Sequence, residues 1–494
     1  MAENLPGVRF VLDGKVVIVN EVSPTTTLLQ YLRDTLGRSG TKEGCAEGDC
    51  GACTTVIGEL RGDRIEYRAI NSCIRFLPTV DGKEIVTAES LPAADGSLHP
   101  VQRAMVDCHG SQCGFCTPGF VMSLFALYLD RERPTREQVV DTLSGNLCRC
   151  TGYRPIIDAA LHMADYPEPA TWSRAGAQSE ARLAQLRSIK RESRLHLDAS
   201  PGFHAPITVD ELAQLYAAHP QSLLLAGGTD VGLWVTKLLR KLPPLIYLGE
   251  VAGLRTVRTV DGSLEIGAAV NLAEAYAAIV AQYPMLDELA NRFASVPIRN
   301  SGTLCGNLGN GSPIGDSMPI LIALGATVEL RHGNDTRTLL LEDLYLGYQK
   351  KALAPGEFVS SVRIPLPKPN MVIASYKISK RFDQDISAVC GAYALAISGG
   401  RIASARIAYG GMAAIPQRAR LTETALTGHA WSRDTIESAI PRLADDFRPL
   451  TDMRASAHYR QLIAGNLLLR LYEEHGGAGR PVRVYDAAVA ATVS

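Results

Sequence analysis

Apolar residues recur from Val8 to Val19 on both sides of Asp13-Gly14, a tight-turn dipeptide, and predict a hairpin of two short strands. Ile57, the stretch Arg64–Ala69 and Ile85-Val86 extend it into a small mixed sheet. The period then changes. Gly119 to Leu129 is an apolar run long enough for a helix and is preceded by Pro118, while Thr135 suits the N-cap of a second helix running towards Ser144. Between Tyr166 and His204, Pro167 and Pro169 break the pattern. Arg182, Arg187, Lys190, Arg191 and Arg194 follow, interspersed with Glu180 and Glu192. That composition predicts a solvated linker, with a partner-docking helix as the other reading of its charges. Leu224 to Val231 predicts a buried strand, a glycine turn and a helix starting near Val231. Beyond Pro365-Leu366-Pro367, strands at Ser375–Ser379, Ala388–Ile397 and Ile402–Tyr409 precede helices from about Thr422. The fold class is α+β, in several domains.

Length and charge bound the function. With about 100–200 residues per domain, 494 residues make three or four units. A net charge of −1 gives no electrostatic reason to expect nucleic acid or an anionic membrane surface as partner. No run approaches the ~18 apolar residues of a membrane span, and Met1 to Pro6 has no basic or apolar leader character. A cytoplasmic protein is expected, which suits reduced cysteines. H-E-x-x-H, G-x-S-x-G and Walker sequences are absent, so hydrolase and nucleotidase chemistry has no support.

The cysteines carry the chemistry. Eight of eleven form two quartets. Cys45, Cys50, Cys53 and Cys73 read C-x4-C-x2-C with a distant fourth ligand, the plant-type [2Fe–2S] spacing. Gly44, Gly48 and Gly51 give the loop sharp turns, and its amides can point at the sulfurs. Zinc also takes four cysteines, but usually from paired knuckles rather than three in one loop. Cys113, Cys116, Cys148 and Cys150 read C-x2-C and C-x-C, a spacing that alone admits zinc. Helix ends predicted beside these pairs favour an anionic cluster. Cys108, Cys305 and Cys390 read as buried thiols.

Two glycine-rich segments suit a dinucleotide. Leu224-Leu225-Ala226-Gly227-Gly228-Thr229-Asp230-Val231 can bring backbone amides close to a pyrophosphate, although such a corner also occurs without a ligand. Asn300 to Asp316 is small and polar enough to leave room for a large cofactor. Neither segment is the Rossmann G-x-G-x-x-G.

The order of the quartets, with Gln112-Cys113-Gly114-Phe115-Cys116-Thr117-Pro118-Gly119 and Gly145-Asn146-Leu147-Cys148-Arg149-Cys150-Thr151-Gly152-Tyr153, resembles the molybdenum hydroxylase family. The xanthine dehydrogenases are its nearest-looking members. The resemblance implies a β-grasp 2Fe-2S ferredoxin domain at 1–83 and a four-helix 2Fe-2S domain at 84–165. A linker follows at 166–203, then a PCMH-type FAD-binding α+β domain at 204–365. A CO-dehydrogenase-flavoprotein-like C-terminal α+β domain takes 366–480. It also implies two [2Fe–2S] clusters and FAD on this chain, with NAD as electron acceptor. The molybdenum cofactor would sit on a molybdenum-binding large subunit, in a heterotetramer of two small and two large chains. No purine-hydroxylating residue is then expected here. To FAD the resemblance assigns residues 224–231, Thr303, Leu304, Cys305, Gly306 and Asn307. It adds Phe293 against the isoalloxazine, where a core aromatic would look the same, Asp316 near a ribose or the flavin, and Val359 and Lys377. Near the flavin and NAD it suggests Tyr348 and the charged loop Lys380–Ser387 with Arg381 and Asp385, a loop that could equally be only solvated.

Overall fold

Asp13 and Gly14 both take positive φ, 52° and 69°, as a two-residue hairpin of the right twist requires. They join Val8–Leu12 to Lys15–Val19 in the register Leu12 with Lys15 and Val8 with Val19. In the computed structural model, which describes residues 7–476, this hairpin is one edge of a five-stranded sheet. The remaining order is Glu84–Val86, Thr54–Arg61 and Arg64–Asn71. Val8–Leu12 pairs parallel with Glu84–Val86 and the other neighbours run antiparallel, so the sheet is mixed.

Two bodies divide the chain. The first comprises residues 1–255, 271–274 and 294–303; the second comprises 256–270, 275–293 and 304–494. The parts of these that fall in 1–6 and 477–494, including the last residues of the expected 366–480 domain, lie outside the described residues.

In the first body, four helices follow the mixed sheet: Pro100–Asp107, Thr117–Asp130, Arg136–Leu143 and Arg154–His162. Thr135 caps the third through a capping box with Gln138. Phe120, Phe125, Tyr128, Val139, Ile156 and Met163 fill their shared core. A small sheet ordered Leu195–Leu197, Phe203–Ala205, Leu245–Tyr247 and Leu223–Leu225 completes this body. Its Leu195, Phe203, Leu225 and Leu245 join Val8, Phe10, Leu28 and Phe76 in a single apolar cluster.

The segment expected as a solvated linker is instead folded. Glu180–Ile189 is a helix whose Leu183, Leu186 and Ile189 bury against Val11 and Ile65 of the mixed sheet. Gln178 hydrogen-bonds both the N–H and the carbonyl of Ile65, at 2.8 and 2.7 Å. That pairing covers part of an edge strand. The charges attach the strap rather than solvate it: Arg182 pairs with buried Glu84, and Arg191 meets Asp81 at 2.6 Å.

Among the described residues the second body holds two larger antiparallel sheets beside the short hairpin of Tyr345–Gly347 and Lys350–Lys351. One is ordered Val257–Val260, Ser263–Gly267, Phe358–Pro365, Thr327–His332 and Asp335–Leu340. The other is ordered Met371–Ile378, Val389–Ser398, Arg401–Gly410 and Gln417–Arg418. The helix Ala457–His475 buries Ala464, Leu467, Leu468 and Leu471 in one core with the second sheet. Among the described residues no helix is long and apolar enough to cross a membrane.

Candidate functional site: two thiol quartets and the dinucleotide segments

The first quartet closes around a loop of unusual backbone. Ala46, Gly48 and Gly51 take positive φ of 53°, 78° and 70°. Gly44 does not; it is needed for room, because a Cβ there would lie 2.7 Å from Cys50 Sγ. Loop closure aims the N–H groups of Glu47, Asp49 and Cys50 at Cys45 Sγ, at 3.4, 3.4 and 3.3 Å. Cys53 Sγ stands 3.2 Å from Cys73 Sγ, and the Asn71 amide donates to Cys53 Sγ at 3.7 Å. The neighbouring thiols of Cys50 and Cys73, together with the amides of Cys50 and Glu47, hold the Cys45 thiol well below its ordinary range despite burial. Four convergent thiols with amides aimed at sulfur fit a [2Fe–2S] cluster, whose thiolates need such donors.

The second quartet sits at helix ends. Cys116 precedes the helix Thr117–Asp130, and Cys148 and Cys150 lie between Arg136–Leu143 and Arg154–His162. Tyr153, at φ 68°, turns its hydroxyl back to accept the Cys148 N–H at 3.0 Å. Thr151 Oγ1 lies 3.1 Å from Cys148 Sγ, and its hydrogen bonds bring that thiol below its usual range although burial raises it. Cys113 interacts with Cys150, and Cys116 with Cys148. Cys113 and Cys150 are exposed, beside half-exposed Phe115 and Leu147. Cys305 and Cys390 are buried as expected, and burial pushes the Cys305 thiol up to about 12; Cys108 is only half-buried.

The residues expected at FAD are divided between the two bodies, with 224–231 and Thr303 in the first and the rest in the second. In the first, strand Leu223–Leu225 runs through Ala226-Gly227-Gly228-Thr229-Asp230 into the helix Val231–Thr236. A Cβ on Gly227 would meet Ser301 O at 2.1 Å, so the loop lies against the start of the second glycine-rich segment. Gly228 takes φ 74°, and burial raises the Asp230 carboxyl. The two segments meet here, in a glycine cradle that side chains would fill.

In the second body Leu304, Cys305, Gly306 and Asn307, expected at FAD, open the helix Leu304–Asn310. Leu304, Cys305 and Leu308 are its buried apolar stripe, which the glycines at 306 and 309 had obscured. Asn307 Oδ1 is buried without a hydrogen-bond partner, as expected of an atom awaiting a ligand. Asp316 and Lys377 do come together, as a buried pair at 2.6 Å, and Ser387 Oγ donates to the other Asp316 oxygen at 2.5 Å. Both carboxylate oxygens thus already have protein partners. Phe293 is buried against Tyr276, with ring centroids 5.3 Å apart, and Val359 is a buried strand residue. Tyr348 is 65% exposed at a hairpin tip. The Arg381 N–H donates to Asp385 at 2.9 Å, which closes the charged loop on itself. Arg292, which the sequence did not single out, holds that loop by donating to the carbonyls of Phe382 and Lys377 at 2.8 and 3.0 Å.

The described fold agrees with four family matches. Residues 10–77 match the 2Fe-2S iron-sulfur cluster binding domain, and 87–161 the [2Fe-2S] binding domain. Residues 197–367 match the FAD binding domain in molybdopterin dehydrogenase, and 374–475 the CO dehydrogenase flavoprotein C-terminal domain. The chain carries the iron–sulfur and FAD modules of a molybdenum hydroxylase. Among molybdenum hydroxylases, it is 32% identical to xanthine dehydrogenase of Emericella nidulans, over 94% of this chain and 38% of that protein. To xanthine dehydrogenase of Oryza sativa subsp. japonica it is 33% identical, over 85% of this chain and 36% of that protein. The chain therefore spans well under half the length of these relatives. A solved structure of carbon monoxide dehydrogenase from Hydrogenophaga pseudoflava matches with TM-score 0.51 and 28% identity, over 54% of this chain and 94% of that one.

Proposed function

We propose that this chain is the electron-transfer subunit of a xanthine dehydrogenase, taking electrons from a molybdenum centre on a partner large subunit and delivering them to NAD. The observation that carries the reading is the likeness to xanthine dehydrogenases over 94% of the chain, whereas the likeness to carbon monoxide dehydrogenase spans 54%. When bound, [2Fe–2S] clusters pass single electrons and FAD converts these into a two-electron hydride.

The chain's own residues supply the rest. Cys45, Cys50, Cys53 and Cys73 would hold one cluster, with the amides of Glu47, Asp49 and Cys50 offsetting its negative charge. Cys113, Cys116, Cys148 and Cys150 would hold the other, at a surface where Cys113 and Cys150 are open to a partner. The cradle at Gly227-Gly228 would take the pyrophosphate of FAD. Residues Tyr348, Arg381 and Asp385 are proposed near the NAD-reducing face. A cytoplasmic heterotetramer of two small and two large chains is the proposed assembly.

The test is to co-purify the chain with its large subunit and follow absorbance at 340 nm on adding xanthine and NAD. NADH formed together with uric acid supports the reading. Bleaching of flavin and clusters without NADH points to another acceptor. No spectral change with xanthine, but change with carbon monoxide, an aldehyde or nicotinate, would replace it with a different hydroxylase.

A further inference from the structure

Asn146 lies two residues before the ligand Cys148 and is 2% exposed. Its Nδ2 donates to Gly51 O at 3.2 Å, in the other quartet's loop, and stands 3.4 Å from Thr54 Oγ1, at the start of the strand that follows that loop. Its Oδ1 accepts from buried Ser123 Oγ at 2.6 Å, which fixes which way the amide points. Beside it, the Leu147 N–H donates to Cys50 O at 3.0 Å. The loops are pressed together here, since a Cβ on Gly51 would lie 2.2 Å from Gly145 O. A continuous route therefore runs from Cys50 Sγ through its own carbonyl, across one hydrogen bond to Leu147, and along one peptide to Cys148 and its Sγ.

We propose that Asn146 is a positioning residue for electron transfer between the two cluster sites, holding the Cys50–Leu147 hydrogen bond as their bridge. The inference rests on the assignment of a [2Fe–2S] cluster to each quartet. One electron crosses, leaving one site oxidised and the other reduced, with no bond broken and no proton moved. Asn146 touches neither thiolate set; it acts through the geometry of Gly51 and Leu147. A side chain serving only the helical core would not need to donate into the ferredoxin loop.

The experiment uses the full chain as purified with its clusters. Asn146→Asp keeps the shape and the acceptor towards Ser123 but cannot donate to Gly51 O when ionised; Asn146→Ala removes all three side-chain contacts. Each is examined by iron content, by paramagnetic resonance of the two reduced clusters, and by the rate at which an electron injected by pulse radiolysis redistributes between them. The expected result is full iron and two separate signals in N146D, with severalfold slower redistribution and a weakened magnetic interaction between the clusters. An unchanged rate and interaction in N146D overturns the proposal. So does loss of iron in both variants, which would make Asn146 a cluster-retention residue instead. If the unsubstituted chain lacks two distinct cluster signals, the cluster assignment itself fails, a result that the same spectra separate from failure of the bridge.

Discussion

At the residue scale, the grouping of the thiols was written in short-range spacing, and so both quartets could be read without coordinates. The roles of their neighbours could not. Gly44 and Gly51 look alike in the sequence, yet one gives room beside Cys50 Sγ and the other occupies a positive-φ position against Gly145 O. Gly51→Ala combines a disfavoured backbone, about 1–3 kcal/mol, with a collision against backbone. It is expected to lose the first cluster while retaining the second, as iron content and resonance spectra would show. Lys237 was equally silent, because its partners are nearly two hundred residues away: its Nζ donates to Cys45 O at 3.0 Å and lies 3.6 Å from Glu47. A cation beside an anionic cluster favours the reduced state. Lys237→Gln is expected to lower the first cluster's midpoint potential by tens of millivolts, from about 1 kcal/mol or less of screened charge interaction. Redox titration followed by resonance would read it, and the second cluster should not move.

At the scale of elements, strands and helices with a clean period were legible, and the strap was not. Leu183, Leu186 and Ile189 recur at helical spacing, but each is flanked by charge, so the composition of the segment masks its period. The charges proved to be the attachment, through Glu84 and Asp81. Leu186→Ala is expected to cost about 2–5 kcal/mol, read as a lower unfolding temperature. The helix Leu304–Asn310 is illegible for the converse reason, since its glycines conceal a buried stripe of Leu304, Cys305 and Leu308. His99, which caps the helix Pro100–Asp107 by accepting the Val101 N–H at 3.2 Å, makes the four-helix module sensitive to acid. Burial lowers its pKa to about 4. The unfolded chain takes up this proton near pH 6.5, whereas the folded chain resists until about pH 4, so stability is full above 6.5 and falls between those values. The loss reaches about 3 kcal/mol. His99→Asn, which keeps a capping acceptor, should start less stable for lack of ring contacts with Phe125 and Tyr128, and should flatten that pH dependence in thermal melts.

For the whole molecule, the order of modules could be read from motifs, because each motif is local. How the modules share their cores could not, because Val8 and Leu245 become neighbours only after folding. The ferredoxin sheet and the small sheet that begins the FAD region fill one apolar cluster, so neither closes without the other. A chain severed once between Ala199 and Gly202, in the connection between Leu197 and Phe203, should therefore not release a free ferredoxin. The two pieces should elute together from a sizing column and come apart only in denaturant. Supplied as separate polypeptides, they should recognise each other as a split protein does, each half unable to stay in solution until it meets the other.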